Sequence, residues 1–281
     1  MDVLLRFWDP KVNRVASRYL NSAFLGHSRA SDLTAGFKES LSPVPLSKVV
    51  QISMDGPNVN LKFLKTLKEG FEPDAPQILD LGSCGLHVVN GGFQTGHRDS
   101  NWNINAFLRC IYWHFKDTPA RRTNFVAITG VKTFPLKFCY VRWTENATVA
   151  DRALSLLPAL KKYILEVDPK PVGRLFAEIK ENVCNDRLLR CKLAFFKSVA
   201  ELLEPFLRRF QTPKPMFPFL YSALEELIRT LLSSVVKPSV NDAATSMVAL
   251  LNLDLKSDDN LKAKVDVGFG SGGGGGTLDC C

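Results

Sequence analysis

An aspartate that ends an apolar run is the first residue of this chain placed to do chemistry. Residues 48–60 read KVVQISMDGPNVN, in which Val49, Val50, Ile52 and Met54 supply a buried strand and Asp55-Gly56-Pro57-Asn58 cannot extend it. Ligands and metals collect outside the carboxyl ends of strands in α/β sheets, so Asp55 is placed either to hold a hard cation or simply to fix the turn. Downstream, Cys84-x-x-His87 and Cys110-x-x-x-His114 make a set of two thiols and two imidazoles suited to zinc. Cys110 and His114 are four apart and share a helix face. Phe107 and Ile111 occupy that face too, which makes a packed core the plainer account. Cys84 near an acid also suggests a thiol hydrolase, but no oxyanion or substrate signature accompanies it. Arg121, Arg122, Lys132, Lys137 and Arg142 are spaced either to follow phosphates or to form a solvated face. Trp143, beside Arg142, offers a ring for stacking or for a domain junction. His27 and His97 read as surface-loop residues. The terminal Cys280-Cys281 looks like a prenylation signal, yet no GTP-binding signature supports that.

The elements that must position these residues follow from periodicity and turn chemistry. Residues 3–8 and 14–24 read as an antiparallel hairpin around the turn DPKVN. Residues 31–41 read as a helix with Ser31 as its cap and Leu33, Phe37 and Leu41 as its stripe. The central strand precedes a helix capped by Asn58, with Val59, Leu61, Phe63, Leu64 and Leu67 as its apolar residues, closing at Gly70. Residues 77–81 read as a strand parallel to the central one, because a helix crosses between them. His87-Val88-Val89 leads into a Gly-rich loop, NGGFQTG. A helix is expected over 103–116 and a last strand over 133–143. From residue 147 the pattern is helical, with stripes through Val149, Ala153, Leu157, Leu160 and Ile164, then Leu189 to Phe210, then Leu220 to Val235. The run GFGSGGGGG reads as a flexible tail.

Composition bounds the possibilities. The chain has 281 residues, 46% apolar and 23% charged, within the range of globular proteins. No stretch reaches the roughly 18 apolar residues of a membrane span, and residues 1–8 do not make a signal peptide. Seven cysteines without a scaffold spacing point to reduced thiols in an unsecreted protein. The formal charge of +8 favours an anionic partner, with nucleic acid first.

Taken in order, the hairpin, the helix, Asp55 to Val59 within SMDGPNVN, Cys84 and His87 within SCGLH, Arg142-Trp143 within VRWTEN and the helical block resemble the hAT superfamily of transposases. The resemblance covers roughly residues 1–270 in order and kind of element. It implies an α/β protein with an incomplete ribonuclease-H-like mixed sheet followed by an all-α insertion domain. The expected domains are 1–146 for the sheet domain, 147–264 for the helical domain and 265–281 for the disordered tail. Members of this family use three acids to hold two Mg²⁺ or Mn²⁺ ions roughly 4 Å apart for phosphodiester hydrolysis and strand transfer. The resemblance assigns Asp55 to the second acid, as a remnant metal position. It places His87 near the transferred strand and Trp143 against an unpaired base.

Departures from the family pattern set the remaining expectations. The first acid belongs on a strand that would precede Met1, and no third acid returns after the helical block; Glu225 and Glu226 read as a solvated face. One acid of three cannot hold two cations, so no cofactor is expected, and Mg²⁺ or Mn²⁺ enters only if the site is completed elsewhere. The expected function is that of an inactive, transposon-derived nucleic-acid binder in the nucleus or cytoplasm. Its nucleic-acid contacts would be His87, Arg121, Arg122, Arg142 and Trp143, with Asn58 and Cys84 as motif residues. Its partners would be DNA, itself or another transposase-like chain, and no membrane. An interaction module working through residues 148–252 is the alternative, and a nuclease completed by a partner chain is a third reading.

Overall fold

Asp9 starts the first turn in the way its side chain dictates: Oδ1 accepts the Lys11 N–H at 3.0 Å, and Asn13 takes the left-handed backbone (φ 50°) that lets the chain reverse. The result, in a computed structural model that describes residues 1–54, 58–70, 78–79, 85–212, 214 and 216–263, is a hairpin of β1 (Asp2–Asp9) and β2 (Arg14–Ser22). Its register runs from Leu4 opposite Tyr19 to Asp9 opposite Arg14, with an irregularity between Val3 and Leu4. The open end is closed by the Ser22 hydroxyl donating to Asp2 and by the Met1 ammonium donating to the Ala23 carbonyl at 2.7 Å.

Eleven α-helices follow among the described residues: α1 (Ala30–Ser40), α2 (Asn58–Glu69), α3 (Gly85–Asp99), α4 (Ile104–Phe115), α5 (Pro119–Thr129), α6 (Ala147–Glu166), α7 (Arg174–Asn185), α8 (Leu189–Phe210), α9 (Leu220–Ser233), α10 (Pro238–Ala243) and α11 (Met247–Leu251). The architecture is mixed α/β but mostly helical, and its sheet has two antiparallel strands. No described helix is long and apolar enough to cross a membrane.

The chain divides into two compact units, residues 1–92 with 210–218, and residues 93–209 with 219 onward. In the first, Phe37 of α1 meets Phe63 of α2 edge-on at 5.4 Å, and Val3, Leu41, Leu67 and Ile78 close the core around them. Gly36 allows α1 to lie close to the hairpin end: a Cβ there would be 3.0 Å from Leu25 and 3.2 Å from Ala23. In the second unit one core joins α4, α6, α7 and α8. It runs from Ile104 to Phe196, with members on both sides of residue 147. The first two helical stripes behave as their spacing requires, with Val149, Ala153, Leu160, Ile164, Leu193, Phe196, Ala200 and Leu203 buried and Leu157 half-buried, whereas of the third stripe only Leu227 is buried.

Four expectations change. The central strand over 48–54 reduces to an isolated parallel bridge between Gln51 and Leu79, with the Leu79 N–H donating to Val50 at 2.9 Å. Val49, Ile52 and Met54 still face the core, whereas Val50 is exposed, since an apolar run becomes a strand only where a ladder partner exists along it. The Gly-rich loop is the middle of α3; Phe93 and His97, one helical turn apart, pack on the aromatic core and override the glycines' low helix propensity. Residues 133–143 form no strand. Their backbone is satisfied instead by Asn146, whose side chain accepts the Cys139 N–H at 2.7 Å and donates to the carbonyls of Cys139 and Trp143 at 2.9 Å. Ser31 does not cap α1, because the helix begins one residue earlier, after Arg29.

Candidate nucleic-acid interface

Side chains alternate across a strand, so the hairpin register sorts its residues onto two faces. Val3 and Leu5 turn toward the core with Leu20. The opposite face carries three cross-strand pairs: Leu4 with Tyr19, Arg6 with Ser17 and Trp8 with Val15. Leu4, Trp8 and Tyr19 keep 63%, 58% and 63% of their surface exposed. Arg6 shares this face, Lys11 is exposed in the turn, and Arg14 and Arg18, opposite Asp9 and Leu5, are exposed on the other face. The hairpin's acids are turned into its own hydrogen bonds, Asp9 with the Lys11 N–H and Asp2 with Ser22. The hairpin as a whole has more cationic than acidic side chains and carries two open rings on one face. Chemically it can stack planar groups and neutralise phosphates. Sequence reasoning looks past it, because VLLRFW reads as a plain apolar strand. The available signal was that Leu4, Arg6 and Trp8 share one side of it.

The residues expected to bind nucleic acid fall in both units, Asn58 and His87 in the first and Arg121, Arg122, Arg142 and Trp143 in the second. Asp55 and Cys84 lie outside the described residues. Asn58 is the first residue of α2, and His87 is exposed in the first turn of α3. Arg121 and Arg122 serve the end of α4. Arg121 Nη1 donates to the His114 carbonyl at 3.1 Å, and Arg122 Nε donates to the Phe115 carbonyl at 2.8 Å while its guanidinium lies 5.0 Å from the centre of the Phe134 ring. Helix ends leave carbonyls without internal partners, and cations suit that pole. Arg142 is exposed and pairs with Glu145 at 3.1 Å. Trp143 is only 8% exposed, so the stacking role expected for it has no open face. His97, Phe138, Phe93 and Phe196 surround its ring at 4.9, 5.3, 6.4 and 6.5 Å.

The zinc set fails on the same grounds. Cys110 and His114 do share a face of α4, and that face is the core. His114 Nε2 lies 3.3 Å from the Tyr163 hydroxyl, with rings of Phe115, Tyr163 and Phe176 around it. Burial, helped by the Arg121 charge, pushes its pKa down to about 4. Burial, with a hydrogen bond to Glu178, raises the Cys110 thiol to about 11, so it is no thiolate at neutral pH. Among the described residues no three His, Cys, Asp or Glu side chains gather as a metal site. His97 is half-buried in α3, where desolvation lowers its pKa.

Glu225 is not the solvated acid its helix position suggests. It accepts from Arg229 at 2.9 Å, and Arg229 also donates to the Asn241 and Ala244 carbonyls at 3.0 and 2.6 Å, fastening α10 to α9. No family model, no curated protein and no solved structure matches the chain.

Proposed function

We propose that this protein binds nucleic acid and is a transposon-derived relative of the hAT transposases, with its first unit descended from a ribonuclease-H-like sheet. The hairpin, with the rings of Trp8 and Tyr19 exposed on one face, Lys11 exposed in its turn and Arg14 and Arg18 exposed on the other face, carries the binding reading. The ancestry rests on Asp55 to Val59, Cys84, His87 and Arg142-Trp143 standing in family order behind a hairpin and a helix. The charge of +8 supports an anionic partner, and a DNA-directed role would place the protein in the nucleus.

Anisotropy titration of labelled oligonucleotides over a range of KCl concentrations tests the binding. The expected result is a linear fall of log K with log salt, with a slope of about −0.7 to −0.9 per phosphate neutralised. Failure to bind any oligonucleotide at low salt defeats the proposal. A second reading, association with another protein or another copy through residues 148–252, is favoured by the exposure of Tyr221, Val248 and Leu251 on α9 and α11. Sedimentation of the chain and of Val248→Ser/Leu251→Ser distinguishes it.

A further inference from the structure

We propose that the outward face of α4 is a second contact surface for nucleic acid, taking unpaired bases of a single strand on the rings of Trp113 and Tyr140 and its phosphates on the cations beside them. This rests on the nucleic-acid reading above and adds a site in the other unit, with the residues that recognise the strand. Arg109, Trp113 and the capping Lys116 stand at i, i+4 and i+7, so they share one stripe of α4, opposite the stripe of Phe107, Ile111 and His114 that fills the core. The Arg109 guanidinium lies 4.7 Å from the centre of the Tyr140 ring, and the Lys116 ammonium 4.4 Å from that of Trp113. Trp113 and Tyr140 nevertheless keep 44% and 49% of their surface exposed. Each ring thus holds a cation and has open surface left for a base. Residues 131–142 lie along α4: Phe134 meets Phe115 at 5.8 Å at one end, Tyr140 meets Arg109 at the other, and Lys137 stands exposed between these anchors.

Charge and rings together select the occupant. From Ser100 to Thr144 the chain carries seven Lys or Arg and one acid, Asp117. Asp117 pairs with Lys116 at 3.6 Å on the surface, where such a pair is weak. The acids that neighbouring elements bring are engaged: Glu178 of α7 accepts from the Cys110 thiol, and Glu145 pairs with Arg142. Among the described residues neither Arg109 nor Lys137 pairs with an acid. Exposed Arg174 of α7 adds a further cation, since its charge and that of Arg109 both act on the Cys110 thiol. Arg121 and Arg122 do not join this surface, being held by the carbonyl end of α4. An acidic peptide would answer the charge but offers the rings no planar partner. A duplex would answer the charge too, yet its base faces are covered by stacking. A single strand supplies both groups.

The test titrates the full chain with a 15-nucleotide oligothymidylate, an abasic strand of equal length, a duplex capped by hairpin loops and polyglutamate, each over a range of KCl concentrations. The expected result is at least tenfold tighter binding of the thymidylate than of the abasic strand or the duplex. Trp113→Ala and Tyr140→Ala should each weaken it about tenfold with the salt slope unchanged, while Trp113→Phe keeps most of the affinity. Arg109→Gln and Lys137→Gln should each lower the slope by about 0.7, the value for one phosphate contact on a single strand, and Arg109→Lys should restore it. Circular dichroism checks the fold, and the two charge variants, at exposed positions, carry the test if a ring variant does not fold. Ring variants that bind as the parent does, charge variants with the parent's slope, or equal affinity for abasic strand or duplex overturn this inference while leaving nucleic-acid binding itself standing. Ring-dependent binding of polyglutamate as tight as that of the thymidylate overturns it in favour of an acidic protein. Binding to none of the three nucleic acids overturns both readings.

Discussion

At the scale of single residues, polar groups that sequence spacing offers to chemistry are spent on structure. His114 shows this best, because a buried imidazole with a pKa near 4 is neutral in the fold. The unfolded chain takes up that proton near pH 6.5, so between about 6.5 and 4 the unfolded state holds more protons and stability rises with pH. Acidification across that window should remove stability on the order of 2–3 kcal/mol through this group, with no further loss from it below about pH 4. Urea midpoints of the parent and His114→Phe at pH 7 and pH 4.5 check this: the variant should show the shallower dependence. Asn146 offers a second case. It is fully buried and holds four hydrogen bonds to residues 139–143. Asn146→Ala leaves buried backbone groups unpaired and should cost about 2–4 kcal/mol, with a red shift of Trp143 emission as the segment loosens.

Elements show where local preference loses to packing. α3 carries glycines in its interior, and a Cβ at Gly92 or Gly96 would meet nothing within 4 Å. Gly96→Ala should therefore stabilise the protein by up to about 1 kcal/mol, read as a rise in Tm. Gly36 in α1 is the opposite case, since Ala23 and Leu25 stand where its side chain would be. Gly36→Leu should overpack that contact and cost about 1–3 kcal/mol in denaturant unfolding. The arginines of α5 likewise act on an element, by satisfying the carbonyl end of α4. Arg122→Ala should lower Tm and leave nucleic-acid affinity nearly unchanged, the reverse of what a phosphate contact would show.

For the whole molecule, long helical stripes were the most legible part of the chain, and the site was the least. Val149 to Ile164 and Leu189 to Leu207 repeat at three and four residues, and a helix has one way to bury such a stripe. The apolar run at 48–54 carries no such guarantee, because a strand's partner lies elsewhere in the chain. Trp143 and its neighbouring arginine look available in a linear reading. Only the convergence of Phe93, His97, Phe138 and Phe196 on the ring shows that it is not. If Asp55 takes part in catalysis with a partner chain, Mn²⁺-dependent cleavage of DNA should appear on mixing and vanish in Asp55→Ala. A gel assay with both chains is the measurement.

The sequence alone determined the hairpin, most helices and the buried faces of the long ones, since turn chemistry and periodicity are local and need no partner. Tertiary structure decided which polar and aromatic side chains stay open to a ligand. That choice depends on what arrives from distant parts of the chain: core rings cover Trp143 and His114, and carbonyls occupy Arg121 and Arg122. On the hairpin, Trp8 and Tyr19 keep their faces because no described element lies over them.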